Sequence, residues 1–183
     1  MQASVSDEKL IKKEIITMSI VCCRVTKEYI EIASDSISVR GWTQEKGKDK
    51  FSKLCKINEL IIGSVGYAEE ASLLQMYSKS RKPEAASEDA ILIFLGEFVE
   101  WKKKRTDKSD LSNSYIIIFE KKAFYISDFF VTEILEYEAI GAGEDFALAA
   151  LFLNHDTKKA TKTACELSIY CEEPIIYFKI DRT

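Results

Sequence analysis

The chain has 183 residues, 46% of them hydrophobic and 31% charged, enough to bury one core and in keeping with a single domain rather than disorder. Its net charge of −4, from 26 basic and 30 acidic residues, supplies no positive field for nucleic acid or anionic lipid, so neither is an expected partner. The longest apolar runs, such as Ala147 to Leu153, fall short of a membrane span, and the N-terminus lacks a signal peptide's uninterrupted apolar core; a cytoplasmic protein is expected.

In chain order, Leu10, Ile11, Ile15 and Ile16 have the spacing of a short amphipathic helix within residues 1–17. Two apolar runs follow, Ile20 to Val25 and Tyr29 to Ala33, joined by Thr26-Lys27-Glu28, and predict a hairpin of buried strands. In an antiparallel pair, Ser19 before the first strand and Asp35 after the second fall at the same rim of the sheet. Residues 36–49 read as an exposed loop with a short extended piece at Ile37 to Val39. A second hairpin, Phe51 to Ile57 and Leu60 to Val65, carries Lys53 early in the chain's third strand. It exits through Gly66 and Tyr67 into a helix from Ala68 to about Lys79.

Ser87 is a plausible N-cap for a helix in which Ile91, Leu92, Leu95, Phe98 and Val99 recur at helical spacing up to Trp101. Lys102 to Asp110 reads as a solvated charged loop. Strands are predicted at Ser114 to Phe119, Ala123 to Ser127 and Glu138 to Ile140. Gly141-Ala142-Gly143 then opens a helix from Glu144 to Asn154, and Asp156 or Thr157 caps another reaching about Tyr170. The last strand runs from Ile175 to Ile180. Strand runs interleaved with helix pairs predict an α+β fold of stacked hairpin sheets with helix pairs outside.

Five cysteines, at positions 22, 23, 55, 165 and 171, are scattered through apolar stretches, which suits reduced core thiols; none is spaced as a metal pair. The one histidine, His155, lies at a predicted helix end and suits a surface or capping role. A hydrolytic mechanism in this chain must therefore find its base elsewhere, and no metal or cofactor is expected.

Three stretches carry a resemblance: the hairpin ending in Ile-Ala-Ser-Asp35-Ser, the second hairpin from Ser-Lys53-Leu-Cys to Ser-Val-Gly66, and Ala-Ile-Gly-Ala-Gly143-Glu-Asp-Phe. In this order and spacing, from Ser19 to Ile180, the chain resembles a proteasome β-type subunit or an HslV-like bacterial ring peptidase, within the N-terminal nucleophile hydrolases. The resemblance implies a four-layer αββα sandwich of two antiparallel sheets flanked by helix pairs. It also implies a threonine-type endopeptidase with serine in place of threonine, whose first residue supplies both nucleophile and base. Ser19 matches the nucleophile position, Asp35 the strand-end aspartate and Lys53 the catalytic lysine. The chemistry suits these types, because an α-amine titrates near 8, a task that otherwise falls to histidine, and a nearby lysine cation lowers that pKa. The backbone N–H groups at Gly66 and Tyr67 would form the oxyanion hole, and Val65 would line the first substrate pocket. Glu144 stands where the family has a serine, and Ser168 and Cys171 stand where it has the aspartate and serine that help orient the N-terminal residue.

The mechanism needs Ser19 to come first, so residues 1–18 are an N-terminal extension with three readings, ahead of one proteasome-like domain over 19–183. It is a propeptide; or Met18 is the true start, removed because serine is small, with Lys13-Glu14 encodable by the ribosome-binding sequence AAGGAG; or it is a retained helix. We favour the second. The resemblance further implies a homo-oligomeric ring or double ring, peptide or unfolded-protein substrates, and an ATP-dependent unfoldase partner. The alternatives are an inactive ring scaffold or gating subunit of the same fold, and an amidase acting on a small molecule.

Overall fold

Alternation along the hairpin strands decides the layering. The computed structural model describes residues 18–40, 43–44 and 52–182. β1 (Val21–Val25) pairs antiparallel with β2 (Tyr29–Ser34), Val21 opposite Ser34 and Val25 opposite Ile30. Val21, Cys23, Ile30 and Ile32 face one way and Ile20, Cys22 and Ala33 the other, and all seven are fully buried. A strand apolar on both faces must lie inside a sandwich, not on its surface.

One sheet has the order β10-β1-β2-β11, with β10 at Tyr137–Ile140 and β11 at Ile176–Asp181. The other has the order β5-β6-β7-β8-β9, from β5 (Leu54–Ile57), β6 (Leu60–Val65), β7 (Ser114–Phe119), β8 (Lys122–Ser127) and β9 (Phe130–Glu133). The two stack through Val21, Cys23, Ile30, Ile32, Ile61, Val65, Ile116 and Ile118. Each such side chain stabilises the fold by roughly 1.5–3 kcal/mol through burial.

The outer face of the five-stranded sheet is covered by α1 (Ala68–Ser78) and α2 (Glu88–Thr106), which contribute Leu74, Tyr77, Ile91, Phe94, Leu95 and Phe98. The outer face of the four-stranded sheet is covered by α3 (Glu144–Phe152) and α4 (Thr157–Leu167), through the small residues Ala147, Ala150, Ala160 and Ala164. This is the expected four-layer αββα arrangement. No helix among the described residues is long and apolar enough to cross a membrane.

Several local expectations are corrected. The extended piece at Ile37 to Val39 is instead a two-residue strand β3 (Val39–Arg40), paired with β4 (Thr43–Gln44). β9, not expected, is a short edge strand, half-buried from Val131 to Glu133, that begins within the apolar run Phe129 to Val131 with Phe130 exposed. α2 runs through the supposed charged loop to Thr106, where Lys103, Lys104 and Arg105 complement the helix C-terminus and Asp107 caps it at φ 59. Lys102 is consequently buried, not solvated. α3 and α4 end at Phe152 and Leu167, short of Asn154 and Tyr170. The expected helix within residues 1–17, and the start of the second hairpin at Phe51, lie outside the described residues.

Candidate active site

The β1–β2 register sets Asp35 opposite Ile20, one residue from Ser19. The Asp35 N–H donates to the Ile20 carbonyl at 3.2 Å, and the Ile20 N–H donates to Asp35 Oδ1 at 3.0 Å. The same Oδ1 receives Lys53 Nζ at 2.8 Å, while Oδ2 receives the N–H groups of Ile37 at 3.1 Å and Glu172 at 3.2 Å. Asp35 is fully buried, and these four donors are what make a buried carboxylate tolerable. Lys53 precedes β5 at the edge of the opposite sheet, so the ion pair spans the two sheets at one rim. Burial holds the Lys53 ammonium below the ordinary lysine range, with the Asp35 carboxylate opposing that shift.

Ser19 is 4% exposed and is held by the turn between β10 and α3. Its carbonyl accepts the Gly143 N–H at 3.3 Å. Gly141, at φ +107, is required there, since a Cβ would lie 2.4 Å from the Ser19 carbonyl oxygen and 3.2 Å from Val65 Cγ1. A Cβ on Gly143 would meet Cys171 Sγ at 2.7 Å. Ser19, Asp35, Lys53, Val65 and Cys171 are thus gathered around one turn. Val65, expected to line a substrate pocket, is 2% exposed with its side chain in the inter-sheet core. Glu144 is exposed in the first turn of α3. Ser168 ends α4, where its Oγ accepts the Tyr170 N–H at 3.2 Å.

No known protein family's sequence profile matches the chain, and no curated protein matches it. Solved structures do. BPH of Thiobacillus denitrificans, in a complex with epoxomicin, superposes with a TM-score of 0.81 at 18% identity, over 90% of this chain and 99% of that one. HslV from Trypanosoma brucei gives 0.62 at 21% identity, over 88% and 99%. Anbu, an ancestral beta-subunit from Yersinia bercovieri, gives 0.68 at 13% identity, over 87% and 80%. The chain has the N-terminal nucleophile hydrolase fold.

In this fold the turn after β6 sits next to the Ser19 cluster through Val65, and here the structure adds residues that sequence reasoning missed. Gly66 has φ +129, and the Tyr67 N–H, expected to face an oxyanion, donates to Asn113 Oδ1 at 2.6 Å. Asn113 Nδ2 donates to the Tyr67 carbonyl at 2.9 Å. Behind Asn113 stands Glu70, whose Oε1 accepts the Asn113 N–H at 2.9 Å and Tyr115 Oη at 3.0 Å. Glu70 Oε2 accepts Lys102 Nζ at 2.5 Å and the Ser112 N–H at 3.1 Å. A signal for Lys102 existed, since it continues the Leu95, Phe98, Val99 spacing of the buried face of α2. Nothing local marks Asn113.

Proposed function

We propose that this protein is a peptidase whose chain, freed of residues 1–18, uses Ser19 Oγ as nucleophile and the Ser19 α-amine as base. The observation that carries the reading is the shared oxygen of Asp35, which holds the Lys53 cation and the Ile20 N–H together, one residue from Ser19. The amine takes the Oγ proton, and Oγ attacks the peptide carbonyl carbon. The oxyanion is received at the Gly66–Tyr67 turn, and the ammonium returns its proton to the leaving nitrogen. Water then cleaves the Ser19 ester with the same amine as base. The Lys53 cation lowers the amine below its usual value of about 7.7–8.0, keeping more of it neutral.

A second observation supports a start at Ser19. Its φ of 152, unusual for an L residue, exists only while Met18 is attached; severing that bond removes the constraint, worth about 1–3 kcal/mol. The working form is a homo-oligomeric ring enclosing its sites in the cytoplasm and receiving unfolded chains from an ATP-dependent unfoldase. Exposed Phe152, Leu153, Leu167, Ile169 and Tyr170, flanking the outer helices, are apolar surface available to such an assembly. The alternative, an inactive ring scaffold retaining residues 1–18, is favoured by the burial of Ser19, which leaves its side chain little access to a substrate.

The deciding experiment is the intact mass of protein purified from its native host, together with hydrolysis of a fluorogenic peptide. A chain beginning at Ser19, with hydrolysis falling on the order of 10⁴-fold or more in Ser19→Ala, supports the peptidase. BPH is solved with epoxomicin, so epoxomicin binding to this chain, weakened in Ser19→Ala, is a second expected result. A mass that includes residues 1–18, without hydrolysis, sinks the peptidase and leaves the scaffold.

A further inference from the structure

We infer that Asn113 is a positioning residue for the oxyanion site, clamping Tyr67 with both ends of its carboxamide so that the Gly66 N–H, not that of Tyr67, meets the developing charge. The inference rests on the peptidase reading and assigns the donor within it. Both N–H groups of the turn are candidates by the resemblance. In the structure the Tyr67 N–H is already committed to Asn113 Oδ1 at 2.6 Å, at the short end of the range for such bonds. An N–H so engaged is not also aimed at a substrate oxygen. The neighbouring donor, on the peptide between Val65 and Gly66, is the one left to the role.

The clamp is built rather than incidental. β6 and β7 pair from Ile61↔Ile118 to Val65↔Ser114, so the next step of the ladder sets Gly66 across from Asn113. There the backbone pairing stops and the carboxamide takes over, accepting from the Tyr67 N–H and donating from Nδ2 to the Tyr67 carbonyl at 2.9 Å. Gly66 makes the approach possible, since a Cβ there would lie 2.3 Å from Asn113 Oδ1. The peptide planes on either side of Tyr67 are thereby fixed, and with β6 paired through Val65 the Val65–Gly66 peptide that carries the Gly66 N–H is held between two anchored neighbours.

Asn113 is fixed in turn. Its backbone N–H reaches Glu70 Oε1, and Glu70, in the first turn of α1, is locked by Lys102 from α2 and by the Tyr115 hydroxyl from β7. Glu70 is 5% exposed, Lys102 1% and Asn113 2%, so water competes little for these bonds. The network ties α1 and α2 to the turn. Such rigid support is what a pre-organised oxyanion donor needs, because its contribution depends on being correctly placed before charge develops.

The test uses protein from the native host carrying Asn113→Ala or Asn113→Asp, with peptide hydrolysis and amide hydrogen exchange measured side by side. Asn113→Ala is expected to speed exchange at the Tyr67 amide at least tenfold. It should lower kcat by about 10²-fold while KM stays within about twofold, as for loss of transition-state stabilisation alone. Asn113→Asp keeps the acceptor for the Tyr67 N–H but loses the Nδ2 donor and brings a negative charge to the turn, so it should keep the Tyr67 amide protected while kcat stays depressed; it also serves if the alanine variant does not fold. Full kcat in Asn113→Ala, or a rise in KM at constant kcat, overturns the inference and leaves the peptidase reading standing. Rapid exchange at the Tyr67 amide in Asn113→Asp, or full kcat in that variant, also overturns it. No hydrolysis by wild-type protein of confirmed Ser19 start defeats the peptidase reading and the inference with it.

Discussion

Lys53 illustrates how one side chain is set by two opposing effects. Removal from water favours its neutral form and Asp35 favours its charged form, and the balance leaves its pKa below the ordinary lysine value. In the proposed mechanism the Ser19 amine must be neutral and Lys53 charged. Activity therefore rises with pH as the amine loses its proton, with a midpoint below about 8, and falls again as Lys53 loses its own, below about 10.4. A bell-shaped profile of kcat/KM against pH is the expected outcome, measured on protein of confirmed Ser19 start. A profile still rising above pH 10.4 would remove Lys53 from the mechanism.

At the scale of elements, the junction of α1, α2 and β7 is organised by Glu70, a buried carboxylate serving Lys102 Nζ, the Ser112 and Asn113 N–H groups and the Tyr115 hydroxyl. Lys102 Nζ also donates to the Asp110 carbonyl, tying down the loop that leads into β7. Glu70→Ala would leave the Lys102 cation buried without its carboxylate and three further donors unserved. Breaking a buried pair from one side costs about 3–5 kcal/mol, which for a chain of this size lowers the melting temperature by on the order of 10 °C. Thermal unfolding of Glu70→Ala measures this. A loss within about 1 kcal/mol of zero, as for a surface ion pair, would show that the network carries little stability. The exposed pair Lys108–Glu69, beside it, is the internal comparison for which such a small effect is expected.

For the whole molecule, the cysteines dominate the response to alkali. Burial pushes Cys22 and Cys165 up to about 12, Cys55 and Cys171 up to about 11, and Cys23 well above its usual value. In the unfolded chain these thiols ionise near 8.5. Above that pH the unfolded state releases protons that the folded state keeps, so the stability due to the buried thiols is present below about 8.5 and lost as pH rises. Lys53 works the other way, because its folded pKa is lowered and the unfolded state holds the extra proton, but it is one group against five. Under reducing conditions the denaturation midpoint is expected to fall steadily from about pH 8.5 to pH 10.5. A flat midpoint over that range would mean the thiols ionise equally in both states.

Apolar runs bounded by turn residues were enough to find β1, β2, β6 and β7 to within a residue, and helical spacing together with turn and cap signals enough to place the four helices of the described residues. These are short-range patterns, repeated over several turns or pairs, and they carry the layered fold with them. The same rim for Ser19 and Asp35 followed from hairpin geometry, which is local as well. Lys53 came near Asp35 only by resemblance, because its side chain reaches the carboxylate from the edge of the other sheet. Helical spacing puts Lys102 on the buried face of α2, but only tertiary structure supplies the partner that lets a charge lie there, since Glu70 is 32 positions away in the chain. Asn113 belongs with it. An asparagine before a strand has no periodicity to betray it, and its role exists only once β6 and β7 have paired and brought Gly66 across from it.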